Sequence, residues 1–293
     1  MLPDTSRSPV VPAEPRIVLE ARDLLGEGPI WDTPAQALYW VDIHGRAIER
    51  YQPETGNHQR WDLPVRPSAL ARCAGRESLL VAAEHGLGFF EPATGEWTPW
   101  LQLEDPEALP GNRTNDGRCG PDGAFWIGTM HDDVAERSGS LYRVDSTGRV
   151  EVVLRDLGIP NTLAWSSDWF YFGDSLDQVV RRYTYKLDMA QASGEPLFAL
   201  PAGDACPDGS AIDDQGRLWT CIWDGSRLDC HAPTGDLIRS VALPVQRPTS
   251  CAFGGPNLDR LFITSSGKDL PAPNGALLAI DGLATGLEEP LFG

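Results

Sequence analysis

The stretch Cys206-Pro-Asp-Gly-Ser-Ala-Ile-Asp-Asp-Gln-Gly-Arg-Leu-Trp219 decides how the chain is read. It reads as a short strand, a tight Asp-Gln-Gly turn, and a second strand opening on Leu218-Trp219. A carboxylate, Asp208, stands at the head of the first strand, and a glycine follows it at once. Counting this one, the same unit occurs six times along the chain, with the residue at the head varying among units. Second strands align at residues 37–42, 78–83, 124–129, 169–174, 217–222 and 260–265. Third strands follow at 47–51, 87–90, 140–144, 179–183, 227–230 and 276–280, and fourth strands fit at 57–63, 96–101, 150–154, 196–200 and 238–243. Four strands in each repeat predict an all-β fold, a six-bladed β-propeller with four-stranded blades.

The last repeat has little chain left for an outer strand, whereas Arg16-Ile-Val-Leu-Glu20 precedes the first unit and has no repeat of its own. That segment is expected to pair beside the sixth blade and close the ring, which removes the exposed sheet edges. Residues 1–14, rich in Pro, Ser and charge, read as a loose tail, and 15–293 as a single propeller domain. The 30 Gly and 25 Pro among 293 residues suit many short strands and turns, and a 41% apolar share suffices for a core.

A formal charge of -18 argues against nucleic-acid and anionic-membrane partners, which need basic patches, and is compatible with a cation site. No run of 18 apolar residues exists to span a membrane, and the first residues lack the apolar core of a signal peptide. The six cysteines contain no C-x-x-C pair and mostly fall in strand-like runs, which predicts reduced thiols in a cytoplasmic protein. A monomer is expected.

The residues heading the innermost strands are read as Glu27, Pro67, Asn115, Asn161, Asp208 and Thr249. Equivalent positions of successive blades lie on one ring around the propeller axis, so residues 180 apart in sequence can face each other. Four of the six carry carboxylate or carboxamide oxygens. Crowded in a narrow channel, such acceptors are unfavourable unless something positive joins them. One divalent cation (Ca2+, Mg2+, Mn2+, Fe2+ or Zn2+) resolves the conflict, and two carboxylates with an amide leave positions open for chemistry. The third head belongs to a dense cluster, Asn112-Arg-Thr-Asn-Asp-Gly117. Arg113 and Asn115, two apart on an extended chain, point to one side and can bind a polyhydroxylated or carbonyl-bearing ligand.

Gly26-Glu-Gly-Pro-Ile-Trp31, Arg113-Thr-Asn-Asp-Gly117 with Gly128-Thr-Met130, Pro160-Asn-Thr-Leu-Ala-Trp-Ser166 and Pro207-Asp-Gly209 carry a resemblance. From about residue 16 to 285 the chain resembles the SMP-30/gluconolactonase family, in its bacterial sugar-lactonase branch. The resemblance implies a six-bladed propeller that hydrolyses a sugar-acid lactone with one divalent metal in its channel. Glu27, Asn161 and Asp208 would be the metal ligands, and Arg113 and Asn115 the substrate contacts. A further family glutamate falls on Glu136, ahead of Gly139-Ser-Leu-Tyr142, after a one-residue shift. Asp208 would be the catalytic residue, either taking the proton of the attacking water or only orienting it.

The five histidines lie at no zinc-motif spacing and no G-x-S-x-G elbow exists, which excludes the familiar serine-hydrolase and zinc-protease patterns. His44, His85 and His131 follow second strands, where they either edge the channel mouth or sit in surface loops, the expected place. Asp174 reads equally as support for the metal or as a strand-end cap. Two other functions fit the same scaffold: an esterase or phosphotriesterase, and a metal-binding propeller without catalysis.

Overall fold

The computed structural model describes residues 14–184, 194–203 and 205–293; the expected tail, up to residue 13, lies outside them. Blade 1 contains β2 (Gly26–Asp32), β3 (Ala37–Asp42), β4 (Ala47–Gln52) and β5 (Asn57–Asp62), and blade 2 contains β6 (Pro67–Arg72), β7 (Leu79–Ala83), β8 (Gly86–Glu91) and β9 (Glu96–Gln102). Blade 3 has β10 (Asn112–Cys119), β11 (Phe125–His131), β12 (Gly139–Val144) and β13 (Val150–Leu157). Blade 4 has β14 (Pro160–Trp165), β15 (Trp169–Asp174), β16 (Val179–Thr184) and β17 (Glu195–Ala199). Blade 5 has β18 (Cys206–Ile212), β19 (Leu218–Trp223), β20 (Arg227–His231) and β21 (Leu237–Ala242). Blade 6 is built from β22 (Pro248–Gly254), β23 (Arg260–Ser265) and β24 (Leu277–Asp281). Its outer strand is β1 (Arg16–Leu19), which pairs antiparallel with β24, so the N-terminal segment closes the ring.

Burial follows position in the blade. The second strands β3 and β7 are buried along their whole length, because neighbouring blades cover both faces of each sheet. The outer strands β5 and β21 are almost wholly exposed. The core is six apolar wedges, one between each pair of neighbouring blades. Trp31, Trp40 and Phe262 fill the wedge between blades 1 and 6, where ring closure brings the ends of the chain together. Each fully buried side chain of this size contributes roughly 1.5–3 kcal/mol by leaving water.

All six innermost strands break register near their heads, between Glu27 and Ile30, Pro67 and Ala69, Thr114 and Gly117, Asn161 and Ala164, Pro207 and Ser210, and Pro248 and Cys251. Such bulges re-aim a side chain, and here they turn the heads toward the axis. They also correct one position. Pro67 pairs with Ala83 as Pro160 pairs with Asp174, so the blade 2 residue matching Asn161 is Ser68, not Pro67. Ser68 is buried and hydrogen-bonds the Thr114 hydroxyl at 2.8 Å, so blade 2 brings no ligand oxygen of the carboxylate or amide kind.

The C-terminal segment runs beneath the ring. Gly286 bonds to Leu258, while Phe292 exchanges bonds with Arg72 and Ala74 and buries its ring between blades 2 and 3.

Candidate active site

The heads of the innermost strands and the ends of the second strands meet at one face, around a cavity of about 380 Å³. Its lining comes from every blade except the second. Glu27 stands on β2, Asn161 on β14 and Asp208 on β18; all three are buried and line the cavity together. Arg113 and Asn115 of β10 line it as well. Glu136 does not. It is exposed on the loop between β11 and β12, and the loop residues that reach the cavity are Asp132 and Val134.

The two carboxyl groups are under electrostatic load. Burial pushes Glu27 well above the usual carboxylate range, and the Asp208 and Asp116 carboxylates push it further. Arg113 offsets only part of this. Burial likewise raises Asp208, Asp116 adds to it, and a backbone bond from Gly209 is the only opposing effect. Asp116 lies on the same axis and is itself raised by burial, with Arg118 pulling the other way.

Asn161 is oriented by a relay. Its amide Nδ2 donates to Ser175 Oγ at 2.8 Å, and that hydroxyl donates to the Pro207 carbonyl at 2.6 Å. With nitrogen so placed, Oδ1 is the atom left toward Asn115, whose Nδ2 donates to it at 3.3 Å. Asp174 seats the relay: its carboxylate caps the short 3-10 turn Ser175–Asp177 through Leu176 N and accepts from Gly158 N and Ile159 N. It is therefore a strand-end cap, and through the Ser175 turn it also steadies Asn161. Thr162, at φ 56° where a β-branched residue is strained, is held by a 2.6 Å bond from its hydroxyl to the Asp208 carbonyl. Ser175 and Thr162 together tie blade 4 to the Asp208 strand.

Arg113 and Asn115 do share one side, since Arg113 Nη1 donates to Asn115 Oδ1 at 2.9 Å. Asn115 then spends its Nδ2 on the Pro160 carbonyl at 3.0 Å and on Asn161. Arg113 Nε is bound to Asp132, which Arg66 also holds, leaving Nη2 as the guanidinium nitrogen without a bond inside the protein among the described residues. Burial alone would raise Asp132, but the hydrogen bonds from Arg66 and Arg113 bring it down to about 2. Ser175, Asp132, Trp223, Arg247, Lys268 and His44 also line the cavity, and of these the repeat pattern pointed only to His44. All but Arg247 lie at or just beyond the end of a second strand, which is the signal by which they can be found. His44 is thus a cavity residue and not a remote surface one.

Among the described residues no three His, Cys, Asp or Glu side chains gather as a metal-ligand cluster. A cation held at this face would take two carboxylates, Glu27 and Asp208, with the Asn161 amide oxygen. That oxygen-only set, its acids raised by mutual repulsion and burial, fits a hard divalent ion with solvent or substrate completing the shell.

Residues 25–267 match the family model described as SMP-30/Gluconolactonase/LRE-like region. The chain is 33% identical to the pentonolactonase XacC of Haloferax volcanii, over 93% of this chain and 96% of that protein. It is 34% identical to the 6-deoxy-6-sulfogluconolactonase of Pseudomonas putida, over 94% of this chain and 98% of that protein. Among solved structures it is similar to a calcium-binding protein, regucalcin, from Agrobacterium tumefaciens, with a TM-score of 0.88, 30% identity, and coverage of 95% of this chain and 97% of that one. The chain belongs to the SMP-30/gluconolactonase/LRE-like family.

Proposed function

We propose that the protein is a sugar lactonase, opening the lactone of a sugar acid by hydrolysis to the free aldonic acid with the help of one divalent cation. The observation that carries the reading is the meeting of Glu27 and Asp208, from blades 1 and 5, with the oriented amide of Asn161 in one cavity. Relatives named as lactonases of pentono- and sulfogluconolactone, matched over nearly the whole chain, support the substrate class.

Glu27, Asp208 and the Asn161 amide oxygen would hold the cation, which when bound supplies Lewis-acid polarisation of the lactone carbonyl. Asp208 would take a proton from the attacking water as the new C–O bond forms. The same carboxyl would then give that proton to the ring oxygen as the acyl–oxygen bond breaks, so one hydroxy acid leaves and Asp208 ends as it began. Arg113 presents Nη2 to the substrate while its other nitrogens are fixed by Asp132 and Asn115, which keeps the donor in place between turnovers.

Five blades of one chain supply the cavity lining, which supports action as a monomer. All six cysteines are free and five are buried, which supports a reducing, cytoplasmic setting. Asp208→Asn tests the reading: hydrolysis of glucono- and pentonolactone should fall by at least about a thousandfold, the range general-base loss and a lost ion ligand reach together. Retention of near-normal rates refutes it. Rates on paraoxon well above those on any lactone would instead favour the esterase function.

A further inference from the structure

His44 occupies the turn between β3 and β4 and reaches the cavity from blade 1. The turn is unusually constrained. Asp42 Oδ1 accepts from Leu25 N at 3.0 Å and from Gly45 N at 2.9 Å, Ile43 N bonds the Leu25 carbonyl at 2.9 Å, and Arg60 Nη2 bonds the Gly45 carbonyl at 3.0 Å. Gly45 packs so tightly on Asp42 that a Cβ there would sit 1.9 Å from Oδ2. Four bonds therefore fix the backbone on both sides of an imidazole whose own ring nitrogens bond nothing among the described residues. Arg113 and Asp132 face it from blade 3, Lys268 from blade 6, and Arg66 from the approach to blade 2. A ring without internal partners, on a braced turn beside the cavity, is placed to serve a ligand and not the fold.

We propose that His44 is a specificity-determining residue that hydrogen-bonds a hydroxyl of the sugar lactone from the blade 1 side of the cavity. The proposal rests on the lactonase reading. Burial and the surrounding cations lower its proton affinity, so the ring is neutral at neutral pH and offers one donor and one acceptor, the pair a sugar hydroxyl uses. Arg113 and Asn115 bind the sugar from blade 3, and His44 adds a contact from blade 1.

The test is steady-state kinetics of His44→Ala and His44→Gln on a parent lactone and on its singly deoxygenated analogues, with thermal melts of each variant. His44→Ala should raise KM about three- to tenfold, the size of one neutral hydrogen bond, with kcat within about twofold. His44→Gln should recover most of the loss, and for one deoxy-lactone the alanine penalty should vanish. An unchanged KM, or an equal penalty on every analogue, overturns the proposal. Asp208→Asn, run in parallel, tests the catalytic site separately: activity surviving there sinks the role given to Asp208 while leaving the His44 comparison readable, and a parent protein that hydrolyses no lactone sinks the lactonase reading itself.

Discussion

Replacing Ser175 with alanine removes the hydroxyl that receives the Asn161 amide and ties it to the Pro207 carbonyl. Asn161 is then free to rotate its nitrogen toward the channel, and loss of such a supporting bond costs about 10- to 100-fold in ion affinity. Calorimetric titration of Ser175→Ala with a divalent ion should show that weakening without a large change in melting temperature. Glu27 and Asp208 make a second, pH-dependent prediction. Both carboxyls are raised in the folded protein, so folding favours their protonated forms; their stability contribution is intact below the ordinary carboxylate range and is lost as pH rises through the raised values. Chelator-treated protein should therefore melt at lower temperature as pH rises through that window, and added divalent ion should remove the decline. A flat profile in treated protein would contradict the crowding of these two acids.

Among the elements, β1 has the clearest separable role, because it alone covers the edge of β24. Deleting residues 1–20 should lower the melting temperature by several degrees, at about 2–4 °C per kcal/mol for a chain of this size. It should also promote association through the freed edge, visible by size-exclusion chromatography. At this scale most of the structure was legible beforehand. The predicted second strands at 37–42, 169–174 and 260–265 coincide with β3, β15 and β23, because strands covered on both faces must be written in apolar residues. The blade 2 head was misplaced by one residue because a bulge leaves no mark in composition, and Pro67 and Ser68 are both acceptable at a strand start.

In the whole molecule, closure of six sheets into a ring brings together groups that are 134 and 47 positions apart in the chain, Glu27, Asn161 and Asp208. That part of the site was readable because the repeat itself encodes it. His44, Ser175 and Lys268 were not, since they stand beyond the strand ends on turns whose direction depends on local clamps such as Asp42 and Asp174. Glu136 shows the converse: a motif match along the chain does not bring a loop side chain to the cavity. The proposed lactone hydrolysis depends on a cation uniting the three head residues. The most direct measurement is ion titration and lactone hydrolysis on one chelated preparation, alongside Glu27→Gln and Asp208→Asn. One ion should bind per chain and restore activity, and both variants should lose the two together. Full hydrolysis in the chelated protein, or unimpaired ion binding in both variants, would contradict it.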